Sequence, residues 1–294
     1  MSINNLPNLL YEIGTSLNDS SVKKGLLLLS KPEVFVKTLK GFLYDPKYVR
    51  TDEDIHSAVQ LWCSNRNKAL TLYGHIRYWD TSLVTNMNWL FRDCVKFNDN
   101  ISWWDVSNVA NMGGMFWHAR SFNQPIGSWN VSKVENMEHM FYYASSFNQA
   151  IGRWKVSKVS DMDGMFWKAK SFNQPINNWK VSKVTDMSSM FNGATAFNKP
   201  IGKWNVSKVK NMEYMFCRAR SFNQPINTKI VERLDGTTYT AWDVSKVRTM
   251  RRMFYNARSF YQSIDHWEVS KDTNIENMFS YYGYLFRCLW LYFK

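Results

Sequence analysis

An α/β solenoid of stacked 25-residue coils, each with a short parallel strand and a short helix behind an α-helical N-terminal cap, is the fold this chain predicts. Three observations predict it. Trp79, Trp104, Trp129, Trp154, Trp179 and Trp204 recur every 25 residues, and the series resumes after 38 at Trp242 and Trp267. Methionine and phenylalanine keep the same phase, at Met112, Met137, Met162, Met187 and Met212 and at Phe116, Phe141, Phe166, Phe191 and Phe216. A period in the range of about 20 to 50 residues marks a supersecondary unit that stacks on copies of itself. Finally, the 294 residues are 45% hydrophobic and 21% charged, a globular balance, and the 14 Trp and 19 Phe are spaced too regularly to be scattered surface residues.

Residues 1 to 75 lack the repeat and form a helical N-terminal region. Asp52 is placed to cap a helix in which Ile55, Ala58, Val59 and Trp62 share one face, and Gly74 is placed to end the segment Asn67 to Tyr73. A solenoid needs such a cap to keep its first core layer out of water. Upstream, Leu6 to Leu43 holds three short helical patterns, broken near Asp19 and at Pro32. In the first of them Leu6-Pro7, followed by Leu9, Leu10, Ile13 and Leu17, resembles an F-box, which would imply a helical module docking onto a ubiquitin ligase. The alternative is a plain helical cap.

The unit Ile126 to Ala150, IGSWNVSKVENMEHMFYYASSFNQA, stands for the coils of residues 76–280. Trp129 and Val131, two apart, share one face of a strand. Ser132 precedes Glu135 by three, the spacing of a capping box. Val134, Met137, Met140, Phe141 and Ala144 then follow at spacings of 3 and 4, the apolar stripe of a helix of about three turns. The return segment reads Phe-Asn-Gln-Pro-Ile in three sister units, and its proline stops any helix. One such unit has nothing to bury its apolar face against, so only a stack is stable.

Polar residues recur too: Asn98, Asn123, Asn148, Asn173, Asn198 and Asn223 after the phenylalanine, and Ser107, Ser132, Ser157, Ser182 and Ser207 after the strand. A catalytic group would be unique, whereas equivalents in every coil indicate ladders that satisfy turn backbone. The pattern W-x-V-S-x-V-x-N/D-M-x-x-M-F-x-x-A-x-x-F-N-x-x-I resembles the 25-residue repeat of BspA-like surface proteins, a relative of leucine-rich repeats. That resemblance covers residues 76 to about 280 and implies a strand-plus-helix solenoid without enzymatic activity. It weakens at the end, where Asp272 replaces the second Val and Ile275 the first Met.

Between Ile226 and Trp242 the period gains thirteen residues. The insert Lys229 to Thr240, KIVERLDGTTYT, has two β-prone runs around Asp235-Gly236 and predicts a protruding hairpin. Residues 281 to 294 read as an irregular aromatic tail, since the run Tyr281 to Phe293 is broken by Arg287 and falls short of the roughly 20 residues that span a bilayer.

Cys63, Cys94, Cys217 and Cys288 show no CxxC spacing, so reduced, buried thiols are expected rather than a zinc site or a disulfide framework. Cys94 fits that reading because sister units carry Ala119, Ala144, Ala169 and Ala194 at its place. Met1 to Asn8 is polar and uncharged, so no signal peptide is expected, and the reading is a cytoplasmic or intracellular monomer without a transmembrane segment.

Charge is the remaining asymmetry, 37 Lys+Arg against 24 Asp+Glu, net +13. Lys133, Lys158, Lys183 and Lys208 share one phase, with Lys155 and Lys180 just after the tryptophans of the middle coils. Stacked like charges repel, so this column is solvated or meets an anionic partner, most simply an acidic protein. Nucleic acid is the weaker choice, because the aromatics run in phase with the core and few are free to stack on bases. Enzymatic activity is not expected: His56, His75, His118, His139 and His266 share no phase, no glycine-rich phosphate loop occurs, and Asp161 and Asp186 replace Asn136 in its ladder. Neither cofactor nor metal is expected. The predicted function is a scaffold for protein–protein interaction, with a ubiquitin-ligase substrate adaptor as the alternative.

Overall fold

The computed structural model describes residues 46–280. The chain divides into two compact units, Met1–Val49 and Arg50–Lys294. In the first, the described residues form a turn closed by the Val49 N–H on the Pro46 carbonyl, 3.3 Å. The F-box-like pattern of Leu6 to Leu43 and the aromatic tail lie outside the described residues.

The second unit opens with helices α1 (Ile55–Ser64) and α2 (Arg66–Tyr73). Ile55, Ala58, Val59 and Trp62 are the buried face of α1, as their spacing requires, and Gly74 ends α2 with φ +67°. The N-cap of α1 is Asp54, not Asp52. Asp52 instead accepts from the Thr85 and Asn86 N–H groups at 2.8 and 3.0 Å and from the Thr85 hydroxyl at 2.6 Å. In later units the N–H at the Thr85 position donates to the preceding unit, as from Ala110 to the Thr85 carbonyl and from Glu135 to the Ala110 carbonyl. Thr85 has no preceding unit, and the Asp52 carboxylate takes the place of its carbonyl. Burial acts to raise the Asp52 carboxyl, but the bonds from Thr85 and Asn86 and nearby His56 outweigh it and hold the pKa below the usual value.

From Trp79 onward, successive 25-residue units pair through single parallel bridges, Asn86 to Asn111 to Asn136 to Asp161 to Asp186 to Asn211 to Thr249 to Asn274. The strand expected at Ile126 to Val131 and the helix expected at Val134 to Ala144 are both absent, here and in the sister units. Ser132 and Glu135 therefore cap no helix. In place of the helix, the N–H groups of Met137, His139, Phe141 and Tyr143 donate to the carbonyls of Asp161, Asp163, Met165 and Trp167 in the next unit. Those of Met140, Tyr142 and Ala144 turn back three residues. Left-handed φ at His139 (53°) and Tyr143 (56°) makes this alternation possible, and the same two places are left-handed in the sister units, at Gly114 and His118 and at Gly164 and Lys168 among them. An α-helix would return every donor to its own unit. Here alternate donors join the units, and the spacings of 3 and 4 that mimic a helix come from the turns between them.

The side chains stack in the same rhythm. The rings of Phe116, Phe141, Phe166, Phe191, Phe216, Phe254 and Phe279 lie 5.5–5.6 Å apart and within about 10° of parallel. Each repeat tryptophan is buried, and from Trp104 to Trp204 the indole N–H donates to an isoleucine carbonyl 28 residues back, as Trp154 does to Ile126 (3.1 Å) and Trp179 to Ile151 (3.1 Å); beyond the insert Trp242 and Trp267 reach Ile201 and Ile226, 41 residues back. Phenylalanine could fill that space but could not make that bond, which is why the position holds tryptophan. The expected asparagine ladder is present: the N–H groups of Asn123, Asn148, Asn173, Asn198 and Asn223 each donate to the side-chain oxygen of the asparagine 25 residues earlier, at 2.9–3.0 Å. Gly152 lies so close to this return segment that a Cβ there would sit 2.3 Å from the Pro175 carbonyl oxygen.

The insert forms an antiparallel pair, β1 (Lys229–Glu232) and β2 (Thr238–Ala241), in register from Lys229 opposite Ala241 to Glu232 opposite Thr238. Gly236, at φ +78°, makes the turn. The stack closes beneath it, since Phe216 and Phe254 keep the 5.6 Å ring spacing and the Trp242 N–H reaches the Trp204 carbonyl at 3.1 Å. Removing Lys229 to Thr240 plus one flanking residue is therefore expected to leave a protein that unfolds cooperatively by circular dichroism. A broad, non-cooperative melt would make the hairpin part of the core.

Two of the cysteines differ from the expectation of reduced thiols, and Cys288 lies outside the described residues. Cys63, at the end of α1, and Cys94, in the first repeat unit, form a disulfide with Cα atoms 5.9 Å apart. Their separation of 31 residues hides the pair in the sequence, because only the packing of α1 on the first unit brings them together. Cys217 is free and buried, and burial raises its thiol pKa.

Candidate functional site

Two surfaces stand out. On one edge, Lys133, Lys155, Lys158, Lys180, Lys183 and Lys208 are all exposed, and none ion-pairs with a carboxylate among the described residues. Lys133 Nζ donates to Asn108 Oδ1, its counterpart in the preceding unit, at 2.6 Å. The shared phase thus produces a physical column, Lys133, Lys158, Lys183 and Lys208, with Lys155 and Lys180 on a parallel line.

The second surface lies along the left-handed turns and carries side chains that the core pattern does not use. Trp117 stacks on Tyr142 at 3.7 Å and 6°, Trp89 packs against Trp117 at 5.2 Å, and Trp167 against Tyr142 at 5.1 Å. Lys168 Nζ lies 4.3 Å from the centre of the Tyr143 ring. Further along, Arg251 bonds Glu213 (2.8 Å) and Glu276 (3.2 Å) and lies over Tyr214. The bond it donates to Glu213, with Tyr214 and Glu276 adding to it, outweighs desolvation and holds its guanidinium above the ordinary arginine value. Sequence reasoning missed this face. The signal was that Trp117 and Trp167 directly follow Phe116 and Phe166, out of phase with the buried tryptophans.

Within that face Glu138, His139 and Asp163 meet. His139 Nδ1 is 3.1 Å from Glu138 Oε1, and Nε2 is 3.4 Å from Asp163 Oδ2. Left-handed φ aims the imidazole across the next unit, where Gly164 clears the way: a Cβ there would lie 2.5 Å from His139 Cδ2. The Ser188 hydroxyl is 2.8 Å from Asp163 Oδ1 and 2.5 Å from Asp186 Oδ1. Asp161 and Asp186 take asparagine's part in the bridge series, accepting from the Asp163 and Ser188 N–H groups at 2.9 and 2.8 Å. Burial, then the like charges of Asp186 and Glu138, raise the Asp161 carboxyl against the bond it accepts. Burial also raises Asp163, against the Ser188 bond and His139. The five histidines share no phase, yet the turn geometry gives His139 two carboxylate neighbours.

One family pattern, described as Mycoplasma protein of unknown function, DUF285, matches residues 62–175, 148–241 and 175–285 in overlapping spans. The chain belongs to this DUF285 family. The matched spans run from the end of α1 through the last bridged unit, so the family pattern is that of a repeat protein. No curated protein and no solved structure matches the chain. Among the described residues of this DUF285 protein, no helix is long and apolar enough to cross a membrane.

Proposed function

We propose that this DUF285 protein is a non-catalytic solenoid scaffold, similar to BspA-like repeats, that binds an acidic protein partner through the column Lys133, Lys158, Lys183 and Lys208 with Lys155 and Lys180 beside it. The observation that carries the reading is the exposure of all six lysines without carboxylate partners among the described residues, at places where successive units add one more charge. The aromatic face favours a protein over a nucleic acid. Trp117 and Tyr142 cover each other's ring faces, which bases would need, and leave edges of the kind that anchor protein interfaces. The Cys63–Cys94 disulfide supports work in an oxidising compartment rather than the intracellular placement.

Reversing Lys158 and Lys183 to Glu is expected to slow association with the captured partner about tenfold at physiological salt. Stability should stay within about 0.5 kcal/mol per substitution. Wild-type association should fall as salt rises, since the screening length is about 8 Å at physiological ionic strength. Affinity capture of both forms, followed by association rates at two salt concentrations, tests this. Rates that respond to neither salt nor charge reversal would move the binding surface to the aromatic face.

A further inference from the structure

We propose that Glu138, His139 and Asp163 form a binding site for a divalent transition-metal ion of the zinc class. Each residue offers one donor atom, two carboxylate oxygens and one imidazole nitrogen, and the three lie within 4.8 Å of one another across two consecutive units. Glu138 now meets Nδ1 of His139 and Asp163 meets Nε2, so an ion on one nitrogen would draw the other carboxylate across by a side-chain rotation. The set suits a metal of intermediate softness, for which imidazole is a good ligand, better than it suits magnesium, which takes oxygen donors.

The surroundings supply an independent argument. Four carboxylates, Glu138, Asp161, Asp163 and Asp186, cluster here, and among the described residues no lysine or arginine pairs with any of them, in a chain of net charge +13. The same columns show the contrast three units on. There Glu213 and Glu276 are bridged by the guanidinium of Arg251, a cation supplied by the chain itself. Among the described residues the only cation paired with Glu138 and Asp163 is His139, and only when protonated. A bound metal supplies the missing positive charge without that proton.

The site is also preorganised. Gly164 and the left-handed φ of His139 fix the imidazole over the next unit, and the Ser188 hydroxyl holds Asp163 from its far oxygen, an outer-shell contact of the type that orients carboxylate ligands. The side chains of His139, Glu138 and Asp163 are 16%, 38% and 29% exposed, so an ion can enter from solvent and keep at least one open position. Tyr142 lies beside His139 with ring centres 5.4 Å apart, and water or a donor from a partner would complete the coordination.

Titration calorimetry of the full chain with zinc chloride, with magnesium chloride as the comparison, tests the site, together with the unfolding midpoint in each salt. One zinc ion per chain should bind and raise the midpoint, and magnesium should do neither. Asp163→Asn keeps the shape and the Ser188 contact but removes the charge, and His139→Ala removes the nitrogen; each should weaken zinc binding more than about tenfold. His118→Ala, which alters a pair with Asp93 that has only two donors, should bind zinc as the wild type does. Absence of zinc binding by the folded wild type would overturn the proposal. So would unchanged affinity in Asp163→Asn, which separates the site from adventitious binding at the other histidines even if His139→Ala does not fold.

Discussion

Trp154→Ala is expected to destabilise the protein by about 3 to 5 kcal/mol, the range for truncating a large buried aromatic. Lys158→Ala, four residues away, should change stability by less than about 0.5 kcal/mol. Trp154 is 3% exposed and lies between Phe141 at 6.3 Å and Trp179 at 6.5 Å, so its loss opens a void shared by consecutive units. Its indole N–H also satisfies the Ile126 carbonyl, which alanine would leave buried without that donor. A stack cannot close such a void by letting one side collapse, because each unit is pinned to both neighbours through its alternate N–H groups. Lys158 makes no such contact and is exposed. Chemical denaturation of the two variants measures the difference, and equal midpoints would refute the core placement of the tryptophan series.

Much of this was legible because a repeat multiplies every signal. A single Met137 says little, but five methionines in phase fix an inward position, and the Asn98 series announces a ladder whose bonds the structure contains. What the sequence could not convey was the backbone path. Spacings of 3 and 4 from Val134 to Ala144 fit a helix and also fit a chain of tight turns, and the choice depends on whether donors such as His139 N–H bond within the unit or to Asp163 beyond it. Left-handed φ decides that, and the side chains there, tryptophan, glycine, histidine, serine and tyrosine, share no chemistry that would announce it. The Glu138–His139–Asp163 cluster was hidden for a related reason. Acidic residues recur in the column of Glu138 and Asp163, at Glu213 and Glu276, but the column of His139 holds no second histidine, so averaging over the repeat erased what is particular to those two units. The lysine column, in contrast, was visible because it repeats.

The Cys63–Cys94 bond leads to the other large effect. It closes a loop of 31 residues between α1 and the first repeat unit, and the chain-entropy relation for a loop of that length gives about 3 to 4 kcal/mol of stabilisation. Reduction of the wild type is expected to lower its stability by that amount, and Cys94→Ala should show the same loss with no further response to reductant. Alanine is the right replacement because sister units carry Ala119, Ala144, Ala169 and Ala194 at this place, and the Ala119 N–H reaches the Phe116 carbonyl at 3.0 Å as the Cys94 N–H reaches Phe91 at 3.1 Å. The variant thus removes the cross-link without leaving a misfit side chain. The loss should appear where α1 covers the first unit: Trp62, whose indole N–H bonds Asp99 at 2.9 Å, sits beside the bond and would report local opening by its fluorescence before the later units unfold. Denaturation with and without reductant, read by Trp62 fluorescence against a Trp62→Phe control, checks both parts. Identical curves for oxidised and reduced wild type would mean that the cap holds the first unit by packing alone, and would remove the support for an oxidising compartment.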